Sequence, residues 1–281
     1  MKRKLFIILL AFSVSTLLYS CYTSYLRNLE LSYSTDNDSI RTAFFEKWIN
    51  SYKAISDSSY NKLDDTLKVV YDVGEAFYNI DNIRKIDNWD LYKGYNDSVK
   101  YFVIGTDLEY SVKLVNYNTI FLDTNLISKV KSLKDTVRYI SVNFLYDGKN
   151  KYQKLNNYFP RNSMKNKEVL YLTSKYEIAL SKFIGIERSD IGTFSIMTPS
   201  LPYGNSRNKI KYLSHEIDIM PTHWGDGWII ASPPEILSIT LFKVLEHAFV
   251  ESKVIYTWLL SYFEKVGGKW VLRWHHYTAI E

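Results

Sequence analysis

The densest group of side chains capable of holding a ligand lies between residues 221 and 228. This stretch reads Pro-Thr-His-Trp-Gly-Asp-Gly-Trp and brings together His223, Trp224, Asp226 and Trp228. Two indole faces beside an imidazole and a carboxylate could hold a sugar or another flat ligand. Alternatively, the side chains brace a loop against the fold while the glycines permit its turns. The binding hypothesis requires Trp224 and Trp228 to be exposed.

Two adjacent histidines, His275 and His276, form a second candidate site in a run whose pattern predicts a strand. Side chains alternate along a strand, so these histidines are expected on opposite faces, with one of them facing the interior. An interior histidine beside Glu251 or Tyr256 would be a candidate acid/base pair. We favour the alternative that it is a core histidine bonded to a neighbouring carbonyl group.

Metal, cofactor and nucleic-acid chemistry find little support in the sequence. His215, Glu216, Asp218 and His223 lack the i, i+4 histidine pair of a helical zinc site, so we predict no metal. The chain contains no G-x-S-x-G element, phosphate loop or dinucleotide-binding glycine pattern, and we predict no cofactor and no catalytic residue. Basic residues are scattered among acidic ones rather than gathered on a block, which argues against a nucleic-acid partner.

Cys21, the only cysteine among 281 residues, follows a segment with the features of an export signal. Residues 1–4 are basic, and the apolar run 5–18 is shorter than the roughly 20 residues that span a bilayer. We predict that residues 1–20 are a cleaved signal peptide. Leu18-Tyr19-Ser20-Cys21 resembles the lipobox of bacterial lipoproteins, which implies that Cys21 is acylated and that the chain is bound to a membrane through this lipid. The alternative is an ordinary signal peptide with a chance cysteine at its end.

Acylation of Cys21 would have two consequences for the mature protein. The body would have no thiol left for a disulfide, a cysteine metal site or a cysteine nucleophile. The residue after Cys21 is not aspartate, and no acidic cluster follows, so we expect an outer-membrane anchor that faces the periplasm. The loss of Lys2, Arg3 and Lys4 with the signal would also bring the formal charge of +5 closer to neutrality.

The hydrophobic pattern predicts an α+β fold in two consecutive units. Residues 21–38 are polar and aperiodic and are expected to form a tether. Residues 39–150 and 165–281 are predicted to be an N-terminal and a C-terminal α+β domain, separated by a stretch rich in Asn and Lys. The predicted elements are helices over 40–55, 63–80, 174–183 and 210–219, an ordered polar loop over 81–97, strands over 99–104, 110–117, 119–122, 137–146, 227–232, 236–242 and 269–278, and one long, bent strand over 247–266.

The end of the chain carries a resemblance to a known fold. Residues 265–272, Lys-Val-Gly-Gly-Lys-Trp-Val-Leu, resemble the closing hairpin of the NTF2-like (cystatin-like) α+β fold, which implies helices packed on a curved antiparallel sheet. The chain also resembles a family of uncharacterised lipoproteins from gut Bacteroidota at residues 170–173, at 223–225 and in this hairpin. That family implies no activity, and Asp226 departs from its pattern after His-Trp-Gly.

Three hypotheses of function follow from these patterns. The one we favour is a non-catalytic binding or scaffold lipoprotein of the cell envelope, whose partner could be a glycan, a peptide or a protein. The second is an NTF2-like enzyme that acts on a small molecule through an interior histidine. The third is a purely structural envelope lipoprotein. Fold alone does not decide among them, because one scaffold hosts both binders and enzymes.

Overall fold

The computed structural model describes residues 26–89, 92–93, 99–113, 151–161, 167–188, 203–222, 227–231, 233–242 and 245–280. Helices and strands both contribute substantially to these ranges, and the predicted α+β class is confirmed. The predicted signal peptide, Cys21 and the strands expected at 119–122 and 137–146 lie outside the described residues. In the described part of the chain, no helix is long and apolar enough to cross a bilayer.

The elements are numbered in chain order. The helices are α1 (26–34), α2 (Asp38–Ser51), α3 (Asp57–Asn61), α4 (Asp65–Phe77), α5 (Ile80–Asp87), α6 (Ser174–Ile184) and α7 (Tyr203–Leu213). The strands are β1 (Asn88–Trp89), β2 (Tyr92–Lys93), β3 (Tyr101–Gly105), β4 (Leu108–Lys113), β5 (Gln153–Leu155), β6 (Glu168–Leu172), β7 (Ile219–Pro221), β8 (Trp228–Ile230), β9 (Glu235–Phe242), β10 (His247–Val254), β11 (Thr257–Val266) and β12 (Lys269–Ile280).

The chain forms two compact units, and both are discontinuous in sequence. Unit 1 combines residues 1–51 with 172–229, and unit 2 combines residues 52–171 with 230–281. This division differs from the consecutive domains predicted at 39–150 and 165–281. The reason lies in the main sheet, where β4 pairs in parallel with β9, although the two strands are more than 120 residues apart. A pattern read along the sequence does not reveal such a pairing.

In unit 1, the segment predicted as part of a tether is instead a packed helix. Leu29 and Ser32 of α1 are fully buried. The ring of Tyr33 meets those of Phe183 and Tyr212 edge to face, with ring centroids 5.8 Å and 5.3 Å away. The tether prediction for residues 21–38 is therefore wrong from residue 26 onward.

The remaining core of unit 1 is aromatic. Trp48 of α2 stacks on Tyr176 of α6, with ring centroids 4.4 Å apart, and Phe44 and Phe45 pack beside them. Helix α6 ends as predicted at Gly185, whose φ of 89° is a left-handed conformation that favours glycine. Such aromatic contacts bury a large apolar area. They explain why helices that are distant in sequence, such as α2 and α6, pack together.

Unit 2 is built on a six-stranded sheet with the order β12-β11-β10-β9-β4-β5. The β4–β9 pair is parallel and the others are antiparallel. Gly267 and Gly268, with φ of 57° and 81°, form the predicted turn between β11 and β12. The long strand expected over 247–266 is two strands, because Ile255 adopts a φ of 55° and reverses the chain there.

One face of this sheet is covered by α4 and α5. Phe77 and Ile83 of these helices belong to the same buried cluster as Ile239, Val250 and Phe263 of the sheet. Gly74 lies inside α4 because the hydroxyl oxygen of Tyr158 occupies the place of a side chain, 1.5 Å from where a Cβ atom would be. The helices that cover the sheet, α4 and α5, therefore come from the first half of the chain.

Two further element predictions are corrected. Residues 81–87, predicted as part of a loop, belong to α5, where Ile83 and Ile86 are buried. The helix expected over 210–219 is α7, which ends at Leu213 and begins at Tyr203. Both segments contain few apolar residues, so their hydrophobic pattern is weak. Contacts with the rest of the fold decide that they are helical.

Candidate functional site

The candidate loop at 221–228 is closed at its base by its own backbone. The N–H of Thr222 donates to the carbonyl of Gly227 at 2.9 Å, and the N–H of Gly227 donates to Oγ1 of Thr222 at 3.1 Å. His223, Trp224 and Asp226 lie outside the described residues, so their role stays a prediction. The structure thus defines the stem of this loop.

Trp228, the last residue of the candidate loop, is fully buried. Its indole N–H donates to the hydroxyl of Ser181 at 3.1 Å, and the guanidinium of Arg188 lies 6.0 Å from the ring centre. The expectation that Trp228 is exposed for ligand stacking is wrong. Its indole instead anchors β8 to α6.

His275 and His276 lie on opposite faces of the main sheet, as the alternation in a strand requires. His275 is directly opposite Ser261, which is opposite Val250, and Val250 belongs to the core cluster. His276 is opposite Leu260, which is opposite Glu251. His275 therefore points to the core side of the sheet, and His276 points to the other side.

Glu251, one of the two predicted partners of an interior histidine, is on the wrong face to contact His275. Its carboxylate accepts a hydrogen bond from the hydroxyl of Ser238 at 2.5 Å. Burial lowers the pKa of His275, and the neighbouring imidazole of His276 lowers it further. The imidazole of His275 is therefore neutral at neutral pH, and no carboxylate raises its pKa. The predicted pair of His275 with Glu251 is not formed.

Three buried hydroxyl groups lie on the same side of unit 2 as His275. Ser252, Thr257 and Ser261 are completely buried, and their hydroxyl oxygens have no hydrogen-bond partner among the described residues. Around them the interior is filled by apolar side chains such as Leu259 and Phe263. A buried hydroxyl group without a partner loses its bonds to water, so such groups are expected to contribute unfavourably to stability.

A surface cleft of about 540 Å³ in unit 2 is the candidate site that the sequence did not predict. We call it the hairpin cleft, because α3 and α4 form one wall and the β9–β10 and β11–β12 turns form the other. Charged side chains of both signs lie beside apolar ones. Its lining consists of Tyr60, Asp65, Lys68, Val69, Asp72, Leu245, Glu246, Lys265, Gly267 and Gly268.

The helical wall of the hairpin cleft is held by a polar network. The hydroxyl of Tyr60 donates to Oδ1 of Asp72 at 2.5 Å, and the guanidinium of Arg161 lies 4.6 Å from the centre of the Tyr60 ring. Burial raises the pKa of the Tyr60 hydroxyl, and its bond to Asp72 raises it further, so the phenol stays protonated. Lys68 lies 3.8 Å from the carboxylate of Asp65, at the edge of the cleft.

The turn wall of the hairpin cleft is fixed by backbone contacts. The N–H of Lys265 donates to the carbonyl of Glu246 at 2.8 Å and links the two turns. Leu245, with a φ of 51°, and the two glycines 267 and 268 set the direction of the turns. The two walls therefore bring the side chains of Lys68, Lys265 and Glu246 to one cleft.

The hairpin cleft presents charged side chains of both signs. Its two ammonium groups, three carboxylates and one phenol suit a ligand that carries both a positive and a negative group. Among the described residues, no group of three or more His, Cys, Asp or Glu side chains could hold a metal ion. The sequence could not reveal the cleft, because its lining comes from three segments that only the sheet brings together.

Comparison with known proteins found no relative of this chain. No family model matches the sequence, and neither a curated protein nor a solved structure matches the chain.

Proposed function

We propose that this protein is an exported lipoprotein of the cell envelope that binds a ligand without converting it chemically. The lipid on Cys21 anchors the chain to the outer membrane on its periplasmic side, and the hairpin cleft holds the ligand. We also propose that unit 2, with α4 on the sheet of β9 to β12, is the part of the chain that resembles the NTF2-like fold.

The observation that carries the anchor is the position of Cys21. It is the only cysteine of the chain, and it directly follows Leu18-Tyr19-Ser20, the spacing that lipoprotein processing requires. The basic residues 2–4 and the apolar run 5–18 precede it in the order of an export signal. Several acyl chains on one cysteine bind a membrane stably, because each buried methylene group contributes roughly 0.8 kcal/mol.

The hairpin cleft supports binding as the activity of the body. It is open to solvent and presents Lys68 and Lys265 beside Asp65, Asp72 and Glu246. The ligand class that matches these charges is a peptide segment with at least one acidic and one basic side chain. The enzyme hypothesis, which pairs a core-facing histidine with Glu251, has less support, because His275 faces the core and Glu251 lies on the sheet face of His276.

The anchor is tested by metabolic labelling with an alkyne analogue of palmitate in a bacterial host that processes lipoproteins. The wild-type chain is expected to incorporate the label and to sediment with membranes. Cys21→Ser is expected to lose both properties. Labelling of Cys21→Ser to the wild-type level would overturn the proposal, since Cys21 would then not be the acylated residue.

The binding activity is tested with the mature chain beginning at Tyr22, screened against peptide and glycan libraries. Lys265→Glu and Lys68→Glu are expected to weaken binding of a peptide hit at least tenfold. Lys154→Glu is the matched control, since Lys154 is an exposed lysine of unit 2 outside the cleft and its pair with Glu109 spans 3.9 Å. Equal affinity of all three variants would exclude the cleft, and a loss in Trp224→Ala alone would favour the 221–228 loop.

A further inference from the structure

We propose that the exposed face of α1, formed by Arg27, Leu31 and Ser34, rests on the phospholipid surface of the membrane that holds the lipid anchor. This inference rests on the proposed function, because it requires acylation of Cys21. It replaces the predicted long tether with a short one and gives unit 1 a defined contact with the bilayer.

The helix α1 is a fixed part of unit 1 rather than a leash. Nζ of Lys209 donates to Oε1 of Glu30 at 2.7 Å and to the carbonyl of Phe183 at 2.6 Å. Leu29 and Ser32 are fully buried on the same helix, and Ser32 donates to the carbonyl of Leu29 at 2.9 Å. These contacts, together with those of Tyr33, hold the middle of the helix against α6 and α7.

The covalent chain limits the distance between α1 and the bilayer. Residue 26 lies five positions after Cys21, and five residues span at most about 18 Å even when fully extended. Leu31 lies five residues further along α1, which adds about 7.5 Å at the rise of an α-helix. Every position of Leu31 is therefore within about 25 Å of the acylated sulfur. The polar interfacial region of a bilayer lies within this reach.

The outward side of α1 has the chemistry of a membrane-contacting helix. Arg27, Leu31 and Ser34 are exposed and follow the i, i+4, i+7 spacing of one helix face. Leu31 is 45% exposed, which is large for a leucine. The side chain of Arg27 is exposed, and the carboxylate of the neighbouring Glu30 is paired with Lys209. An aliphatic side chain beside a basic one is the pattern of helices that lie at the interface.

The test places a fluorophore on the face itself. In the lipidated full-length chain the Cys21 sulfur is consumed, so Leu31→Cys introduces the only reactive thiol, which is labelled with an environment-sensitive NBD dye. The protein is reconstituted into phosphatidylcholine and phosphatidylglycerol vesicles with a nitroxide on the lipid headgroup. We expect the nitroxide to lower the fluorescence at least twofold. Arg27→Glu in the same variant is expected to reduce this quenching.

The matched control inserts about 20 Gly and Ser residues after Ser24, which adds a flexible span of roughly 25 Å. This variant is expected to lose at least half of the quenching while its acylation is unchanged. Equal quenching with the native and the extended spacing would overturn the contact of α1 with the membrane. Vesicle flotation and the mass of the N-terminal peptide report separately on the anchor, and a chain that carries no acyl group would overturn the proposed function together with this inference.

Discussion

Trp228 donates its indole N–H to the hydroxyl oxygen of Ser181, and both groups are buried in unit 1. This bond fixes the end of the 221–228 loop to helix α6 through a side chain that the sequence offered as a ligand contact. A buried indole with a buried partner has a structural role, since neither group can reach a ligand in solution.

The bond between Trp228 and Ser181 makes Ser181→Ala a destabilising change. Removal of the hydroxyl leaves the indole N–H buried without a partner, and we expect the free energy of unfolding to fall by about 1–3 kcal/mol. Urea denaturation followed by tryptophan fluorescence measures this loss. The control is Ser174→Ala, an exposed position of the same helix, which should change stability by less than about 0.5 kcal/mol. Equal effects of the two substitutions would show that the bond contributes nothing.

Gly74 is expected to tolerate no side chain, although alanine is the better helix former. A Cβ atom at Gly74 would lie 1.5 Å from the hydroxyl oxygen of Tyr158, so Gly74→Ala should destabilise the protein by about 1–3 kcal/mol. Gly204→Ala in α7 is the matched control, because nothing lies within 4 Å of its added Cβ atom. There alanine should stabilise by up to about 1 kcal/mol. Thermal unfolding of both variants tests the contrast, and the same sign of effect at both positions would contradict it.

Two of the buried serines of the main sheet, Ser238 and Ser261, are expected to respond differently to replacement by alanine. Ser261 has no hydrogen-bond partner in the described part of the chain, so Ser261→Ala should leave stability unchanged or raise it by about 1 kcal/mol. Ser238 donates to Glu251 at 2.5 Å, and Ser238→Ala should cost about 1–3 kcal/mol because the part-buried carboxyl group loses its partner. Chemical denaturation of the two variants compares serines of similar burial. A larger loss for Ser261→Ala than for Ser238→Ala would mean that Ser261 has a partner in solution.

Burial of two histidines predicts that acid destabilises the protein. Burial lowers the pKa of His275 and of His247 below the ordinary value of 6.5. Just below pH 6.5 the unfolded chain binds protons that the folded chain does not, so the free energy of unfolding falls as the pH drops. Above this pH both states are deprotonated at these histidines, and their contribution to stability is fully present. His275→Gln should reduce the slope of stability against pH between about pH 5 and pH 7. An unchanged slope in denaturation measured over this range would show that His275 does not titrate abnormally.

The sequence predicts an element correctly where the residues that determine it lie within the element or at its boundary. Helix α6 has a regular apolar period and Gly185 at its end, and the β11–β12 turn has two consecutive glycines. Each of these features depends on the backbone preference of a residue at the element's own boundary. The α+β class follows from the same local patterns.

The features that the sequence missed depend on contacts between distant segments. Ile255 and Tyr256 form the β10–β11 turn although neither is a usual turn residue, because the pairing of the two strands forces Ile255 to a φ of 55°. Helix α1 has a short and polar sequence, and its contacts with Phe183 and Tyr212 hold it in place. The hairpin cleft combines residues 60–72 with two turns near residues 245 and 267, so only the assembled sheet defines it.

The most direct test of the lipoprotein proposal is the mass of the N-terminal peptide from protein extracted from membranes. The proposal predicts that the chain begins at Cys21, with residues 1–20 removed and a mass increase equal to a diacylglyceryl group and its acyl chains on this cysteine. An N-terminus at Met1, or an unmodified Cys21 in the membrane-extracted protein, would contradict it.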